Sequence, residues 1–232
     1  RWRFDLLHPV DLVEELAIGH GYEDLGVDVP KAPMNALPRP DDHLRRRIRT
    51  SMQGMGFMQI QSLTLSNDDD QFNRMRWKPF NAITRITNPI TQDHTMMRHF
   101  LLPGLLRLLS SNRHHDLPQS VYELGTVIRD HVNSDRLAFV TAERVGGFAA
   151  IRGRIQAFLR DLGAENIVIE ALPDNEGPWL AGRAARVLLN GEWVGCFGEI
   201  DPAISQTFEL LVPLNGAEFD VEALKSTITD PV

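Results

Sequence analysis

The most regular pattern of apolar and polar positions lies at residues 148–163, "FAAIRGRIQAFLRDLG". Ile151, Ile155, Phe158, Leu159 and Leu162 recur three and four apart, which predicts an amphipathic helix with Gly163 as its stop. Leu44, Ile48, Met52 and Met55 repeat the pattern after Asp41 and Asp42, two residues suited to cap a helix, and Gly56 ends it. A shorter helix is predicted from Pro9 to Ile18, stopped by Gly19 and Gly21. In "DHTMMRHFLLPGLLRLLSSNRHH" the pattern predicts a short helical segment, then a helix from Pro103 to about Arg113, because proline is welcome in a first turn.

Between these stretches the period falls to two. "SVYELGTVI" and "RLAFVTAE" are β-branched and aromatic runs joined by "RDHVNSD", which predicts a hairpin. "ARVLLNGEWVGCFGEI" predicts another around Asn190-Gly191, a pair suited to the positive φ of a type I′ turn. "RWRFDLL", "FMQIQSLTLS", "NAITRIT", "NIVIEAL" and "AEFDV" also have strand character, "NDDDQ" is a loop or helix start, and "PAISQTF" a short helix. Short turns between strands favour a largely antiparallel sheet with packed helices, an α+β fold, over a doubly wound parallel one.

Prolines at 30, 33, 38 and 40 interrupt the chain early, so residues 28–40 read as an extended connector. The piece before it, residues 1–27, is too short to bury a core of its own. Residues 41–232 form the main domain. The chain opens on Arg1 without an apolar leader, and it reads as a fragment of a longer protein.

Composition narrows the picture only modestly. Hydrophobic residues make up 43% and charged residues 24%, the balance of a soluble globular protein, with no apolar run long enough to span a membrane. Cys196 is the only cysteine, which excludes an internal disulfide framework and a cysteine-built zinc site and fits a cytoplasmic location. A net charge of −7 excludes a surface that traps polyanions as a whole.

The densest candidate chemistry is "DLLHPVDLVEEL", with carboxylates at Asp5, Asp11, Glu14 and Glu15. Helix capping accounts for part of it. Asp11 and Glu14 have N-cap and N3 spacing if the helix starts near Leu12, and Pro9 at the first helical position would leave Asp11 favoured by the helix dipole. Neither reading explains Asp5, and both explain Glu15 poorly. Asp11, Glu14 and Glu15 share one helical face, and clustered carboxylates repel one another unless a cation sits among them; a few hard oxygen ligands suit magnesium. His114-His115 reads as favourable charge at a helix end rather than a metal pair. Arg45, Arg46, Arg47 and Arg49 form a basic helix face for solvent or a partner. "RMRWKPF", residues 74–80, alone interleaves aromatic and basic residues as an RNA-stacking surface would, although Trp77 and Phe80 fit core or interface better. Cys196, in an apolar strand, reads as a small buried hydrophobe.

Taken in order, "DLVEELAIGHGY", "LRRRIRTSMQGMGFMQIQSLTLS", "MMRHFLLPGLL…YELG" and "NGEWVGCFGEIDP" resemble the beta subunit family of phenylalanyl-tRNA synthetases, in its archaeal and eukaryotic form. The resemblance implies a class II aminoacyl-tRNA synthetase-like domain in residues 41–232 that copies the catalytic architecture without catalysing. It implies a catalytic alpha subunit as partner, two alpha and two beta chains, a tRNA for phenylalanine served by the whole enzyme, and ATP used by that enzyme but not bound here. It also implies a magnesium ion shared with the alpha subunit, held by Asp5, Asp11, Glu14 and Glu15. Active class II strands carry an arginine two residues before a glutamate; here Val121 stands at that place before Glu123. At "GCFGEIDPAISQTF" the helix after Asp201-Pro202 lacks the second arginine of such enzymes. Two rival readings remain: an autonomous class II-like ligase in which arginines such as Arg98 or Arg183 replace the missing cations, and a tRNA-binding module.

Overall fold

The structure, a computed structural model, describes residues 3–28, 31, 36, 42–173 and 177–228. Most of the proline connector, together with Asp41, lies outside the described residues. The chain divides into two compact units, Arg1–Pro38 and Arg39–Val232.

In the first unit a single α-helix, α1 (Pro9–His20), is followed by a 3-10 turn at Tyr22–Leu25. The helix passes through Gly19 and stops at Gly21, whose φ of 100° leaves the helical region. Residues 3–7, expected as a strand, form none. A lone strand leaves its backbone groups unpaired, and this unit offers no second strand among the described residues. α1 buries none of its own residues.

The second unit begins with α2 (Asp42–Gly54) and β1 (Met58–Gln59). "FMQIQSLTLS" yields two short strands rather than one, because the chain leaves the sheet after β1 and pairs again only at β2 (Leu65–Ser66) with β3 (Met96–Met97). "NDDDQ" opens a π-helical turn at Asp69–Asn73. "NAITRIT" is not a strand; it contributes one isolated bridge, Arg85 to Met96. The segment before Pro103 supplies a 3-10 turn at Gln92–His94, β3, and then α3 (Leu102–Ser111). His114 and His115 lie beyond the end of that helix.

The main hairpin is β4 (Gln119–Arg129) with β5 (Val132–Ala142). Its turn is tighter than expected: only Asp130 and His131 join the strands, with φ of 51° and 64°. Asp130 holds the turn by accepting hydrogen bonds from the Ala82 N–H, at 2.8 Å, and from Asn81. After α4 (Phe148–Asp161) come β6 (Ile167–Ala171), β7 (Trp179–Leu189) and β8 (Glu192–Ile200). Asn190 and Gly191, with φ of 52° and 85°, make the expected β7–β8 turn. α5 (Pro202–Thr207), β9 (Leu214–Asp220) and α6 (Val221–Thr227) complete the unit.

Seven strands form one sheet in the order β1-β4-β5-β9-β8-β7-β6. Only the β1–β4 pairing is parallel; every other pairing is antiparallel. Alternation along the strands gives the sheet two apolar faces. Tyr122, Leu124, Phe139, Val187, Phe197 and Phe219 pack under α2, α4 and α6, with Ile48, Ile151, Ile155, Phe158 and Leu224 fully buried against them. Val121, Ala138, Val140 and Leu214 face the other way, toward α3 and α5, which bring Leu102, Leu105, Leu106 and Ile204. The result is a mixed α and β unit with helices on both sides of a mostly antiparallel sheet. No helix among the described residues is long and apolar enough to cross a membrane.

Candidate functional site

In the first unit, Pro9 occupies the first turn and His8 is the N-cap, so Asp11 is the third helical residue. Its carboxylate reaches back to accept the N–H groups of Leu7, at 2.6 Å, and His8, at 2.7 Å. Of the two capping arrangements, this is the one with Pro9 at the helix start. Asp5 and Glu15 meet across a cation supplied by the chain: Arg3 Nη2 lies 2.5 Å from Asp5 Oδ2 and 2.6 Å from Glu15 Oε1. Its hydrogen bonds hold both carboxyls below their ordinary range. Glu14 is exposed. Three of the four carboxylates are therefore engaged with backbone or guanidinium, and no group of three possible ligands is close enough to hold a metal ion among the described residues.

The second unit buries charge on the sheet face beneath α3 and α5. One cross-strand row runs Glu123, Ala138, Glu218, Cys196, Arg186, and Arg136 lies two residues from Ala138 on the same face. Glu123 is 1% exposed and Arg98 4%. The Arg98 Nη1 donates to Glu123 Oε1 at 2.7 Å and to the Ser62 hydroxyl at 2.8 Å, and the Ser62 hydroxyl donates to Glu123 Oε2 at 2.6 Å. Arg98 Nε is spent on the Thr126 carbonyl at 2.8 Å. Arg136 and Glu218 are each 2% exposed. Arg136 Nε donates to Glu218 Oε1 at 2.8 Å, and its Nη1 to Asp220 at 3.2 Å. The other Glu218 oxygen accepts the Leu101 and Leu102 N–H groups, both at 3.1 Å, and so caps α3. A cleft of about 320 Å³ borders Arg98, but of its two acids Asp70 is paired with Arg107 at 2.7 Å and Arg74 at 3.2 Å, and Asp93 lies 3.6 Å from Arg107.

This arrangement bears on the rival ligase reading. Arg98 spends Nε and Nη1 on Thr126, Glu123 and Ser62 inside the protein, which weakens its case as a replacement phosphate clamp. Arg183 is exposed and lies 3.9 Å from the Glu199 carboxylate. Val121 is 7% exposed beneath the helices. The β9–α6 junction, a second place where strand turns into helix, has no arginine on α6 either.

The basic face of α2 is partly used within the fold: Arg45 pairs with Asp135, and Arg47 donates to the Leu162 carbonyl at 2.6 Å. The buried pairs Arg98–Glu123 and Arg136–Glu218 were not singled out from the sequence. A signal for the second exists, since Arg136 directly precedes the apolar run Leu137–Val140 and Glu218 lies between Ala217 and Phe219.

A wider cleft, about 530 Å³, opens on the same unit between residues 76–78 and β7–β8. Trp77, Trp179 and Trp193 line it with Arg76, Lys78 and Cys196. Trp77 is half-buried and stacks on Phe100 with ring centroids 3.8 Å apart, as the core-or-interface reading expects, while Phe80 is exposed by 42%. Cys196 is half-buried rather than enclosed.

Comparison with known proteins agrees with this architecture. Residues 26–221 match the phenylalanyl tRNA synthetase beta chain CLM domain. The phenylalanine–tRNA ligase beta subunit of Methanothrix thermoacetophila is 34% identical over 95% of this chain and 40% of its own length. That of Archaeoglobus fulgidus is 33% identical over 97% of this chain and 41% of its own; that of Methanopyrus kandleri is 32% identical over 97% and 39%. The chain thus spans about 40% of the length of the curated relatives it matches. A match over most of its residues places it: the chain belongs to the phenylalanyl-tRNA synthetase beta chain family.

Proposed function

We propose that this chain is the non-catalytic, class II-like part of a phenylalanine–tRNA ligase beta subunit, and that it supports ATP-dependent attachment of phenylalanine to tRNA by docking the catalytic alpha subunit. Two alpha and two beta chains make the cytoplasmic enzyme; tRNA is engaged by the assembly, and ATP is bound by alpha. The observation that carries this reading is the charge pairing beneath α3 and α5. Phosphoryl chemistry needs cations preorganised toward an open site. Here Arg98 and Arg136 are paired with Glu123 and Glu218 in the interior. A domain that spends such cations in its interior keeps a shape for recognition rather than a charged site for adenylate formation.

The shared magnesium belongs to the same proposal, with Asp5, Asp11, Glu14 and Glu15 as its ligands. Their oxygen donors have the right hardness for that ion. Arg3 neutralises Asp5 and Glu15, so it must release them when the metal and the alpha subunit arrive. The ion would add fixed positive charge between subunits and take no part in bond-making.

The test is the mass of the chain in solution with and without the catalytic alpha subunit, in magnesium and then in chelator. The expected result is a mixed complex that loosens in chelator and is weakened by Glu15→Ala. No complex in either condition refutes the docking role. A complex indifferent to chelator refutes the metal role alone.

A further inference from the structure

The dipeptide Asn-Gly occurs twice in the chain, at Asn190-Gly191 and Asn215-Gly216, and the fold puts the two copies in opposite circumstances. Its chemistry is intramolecular. The backbone nitrogen of the second residue attacks the side-chain amide carbon of the first, and glycine, with no Cβ, leaves that nitrogen unshielded. In an unfolded chain both copies would react alike.

Asn190 and Gly191 are both exposed and form the whole β7–β8 turn, with Leu189 paired to Glu192 across it. The Gly191 N–H donates to no backbone acceptor among the described residues, so its attack breaks no bond of the sheet. Asn166 Nδ2 donates to Asn190 Oδ1 at 2.9 Å, the oxygen on which charge develops during attack. Asn190 Nδ2 donates to the Thr227 carbonyl at 3.2 Å, one of the last open carbonyls of α6. Asn215, in contrast, is 1% exposed. Both it and Gly216 pair with β5 on one side and β8 on the other, so the Gly216 N–H lies within a ladder whichever way it points. The Asn215 amide has no hydrogen-bond partner among the described residues. What protects it is the backbone and the exclusion of water, not a hold on its side chain.

We propose that Asn190 is a self-modification site, converted to aspartate and isoaspartate in the folded protein, and that the conversion unties α6 from the β7–β8 turn. The Gly191 N–Cγ bond forms, the Cγ–Nδ2 bond breaks, and ammonia leaves with the proton from Gly191. Water then opens the five-membered ring at either carbonyl. Both products replace the donor on Thr227 by a carboxylate, which meets a carbonyl at the negative end of a helix and is repelled. The isoaspartate product also adds a main-chain methylene to a turn of two residues, a length that sets the pairing of its strands. The inference is independent of subunit docking, and its failure would leave that role untouched.

Incubation of the chain in mildly alkaline buffer, native and in urea, tests it, with conversion at 190 and 215 followed by peptide mass mapping and isoaspartate detection. In native buffer Asn190 should convert at least about a hundredfold faster than Asn215, which reacts only through the roughly one in a thousand or fewer molecules that are unfolded. In urea the two should convert at comparable rates. The converted chain, separated by its added negative charge, should lose hydrogen-exchange protection in the last turn of α6 while α4 keeps its own. Asn190→Asp, which lacks the donor but not the normal backbone, should show the same loss in α6 with β7–β8 protected. A native chain whose Asn190 is intact when Asn215 has converted in urea overturns the proposal, and so does equal conversion of the two in native buffer. Unchanged α6 exchange in both the converted chain and Asn190→Asp overturns the tie to α6.

Discussion

Glu218→Ala should be among the most damaging single substitutions in the second unit, and the structure says by how much. The side chain has two jobs, one per oxygen. Removing it leaves Arg136, 2% exposed, with only Asp220 at 3.2 Å. Breaking a buried ion pair from one side costs about 3–5 kcal/mol. It also strips the acceptor from the first N–H groups of α3, a cap whose loss costs about 1 kcal/mol. The remaining contact to Asp220, a quarter exposed, recovers part of the first cost, so the total should be about 4 kcal/mol. At roughly 2–4 °C per kcal/mol for a unit of this size, the melting point should fall by roughly 8–16 °C. Arg136→Met strands the buried Glu218 carboxylate and should cost about 3 kcal/mol, less than Glu218→Ala because Glu218 keeps both α3 donors. The double change Arg136→Met with Glu218→Gln should be more stable than Glu218→Ala alone, since it removes both buried charges and keeps an acceptor for α3. Urea unfolding of the four proteins, with slopes compared, measures this. If Glu218→Ala costs less than about 1 kcal/mol, or no more than Arg136→Met, the two-job account is wrong.

Other consequences are equally direct. His99 is fully buried, and burial and the nearby Arg129 lower its pKa. The unfolded chain therefore binds the proton first, and stability should fall below about pH 6.5, by up to about 1.4 kcal/mol per pH unit. Acids held low by partners, such as Asp68 by Arg85, lose stability only below about pH 4; urea midpoints from pH 7.5 to 5 should thus be flatter in folded His99→Phe than in the parent. Gly198 has no room for a side chain: a Cβ there would lie 2.6 Å from the Arg183 carbonyl and 2.9 Å from Ala184 Cα. Both obstacles are backbone, so Gly198→Ala should cost about 1–3 kcal/mol by thermal melting. Val121→Arg, which restores a missing arginine in name, should leave ATP–pyrophosphate exchange at background, because the position is buried and Glu123 is already bound to Arg98; exchange above background would contradict the scaffold reading.

The sequence made the local elements legible and the long-range pairings invisible. α4 and α2 could be read because one face of each is apolar, and the hairpin at Asn190-Gly191 because its turn residues tolerate positive φ. α6 was missed although Asp220 offered a cap, accepting the Glu222 and Ala223 N–H groups. "NAITRIT" misled because β-branched composition marks a residue's fit to a sheet without supplying a partner strand. The carboxylate cluster stood out by density, yet its contact with Arg3 depends on how residues 3–8 fold back on α1. Arg136 and Glu218 are 82 residues apart and meet only because β5 and β9 are neighbours. No local pattern encodes that adjacency.

The same adjacency governs how the sheet can be made. β9, made after the other six strands of its sheet, lies between β5 and β8 in the finished order. Until it emerges, the earlier strands form two separate groups, β1 with β4 and β5, and β6 with β7 and β8, each ending in a strand with open hydrogen-bonding groups. Such edges invite pairing with another chain. Completion of β9 closes both at once and brings Glu218 to Arg136 and α3 in the same event. A ribosome stalled just before Leu214 would therefore carry a nascent chain that holds most of this unit's secondary structure, is unable to close its core, and depends on chaperones until β9 itself emerges.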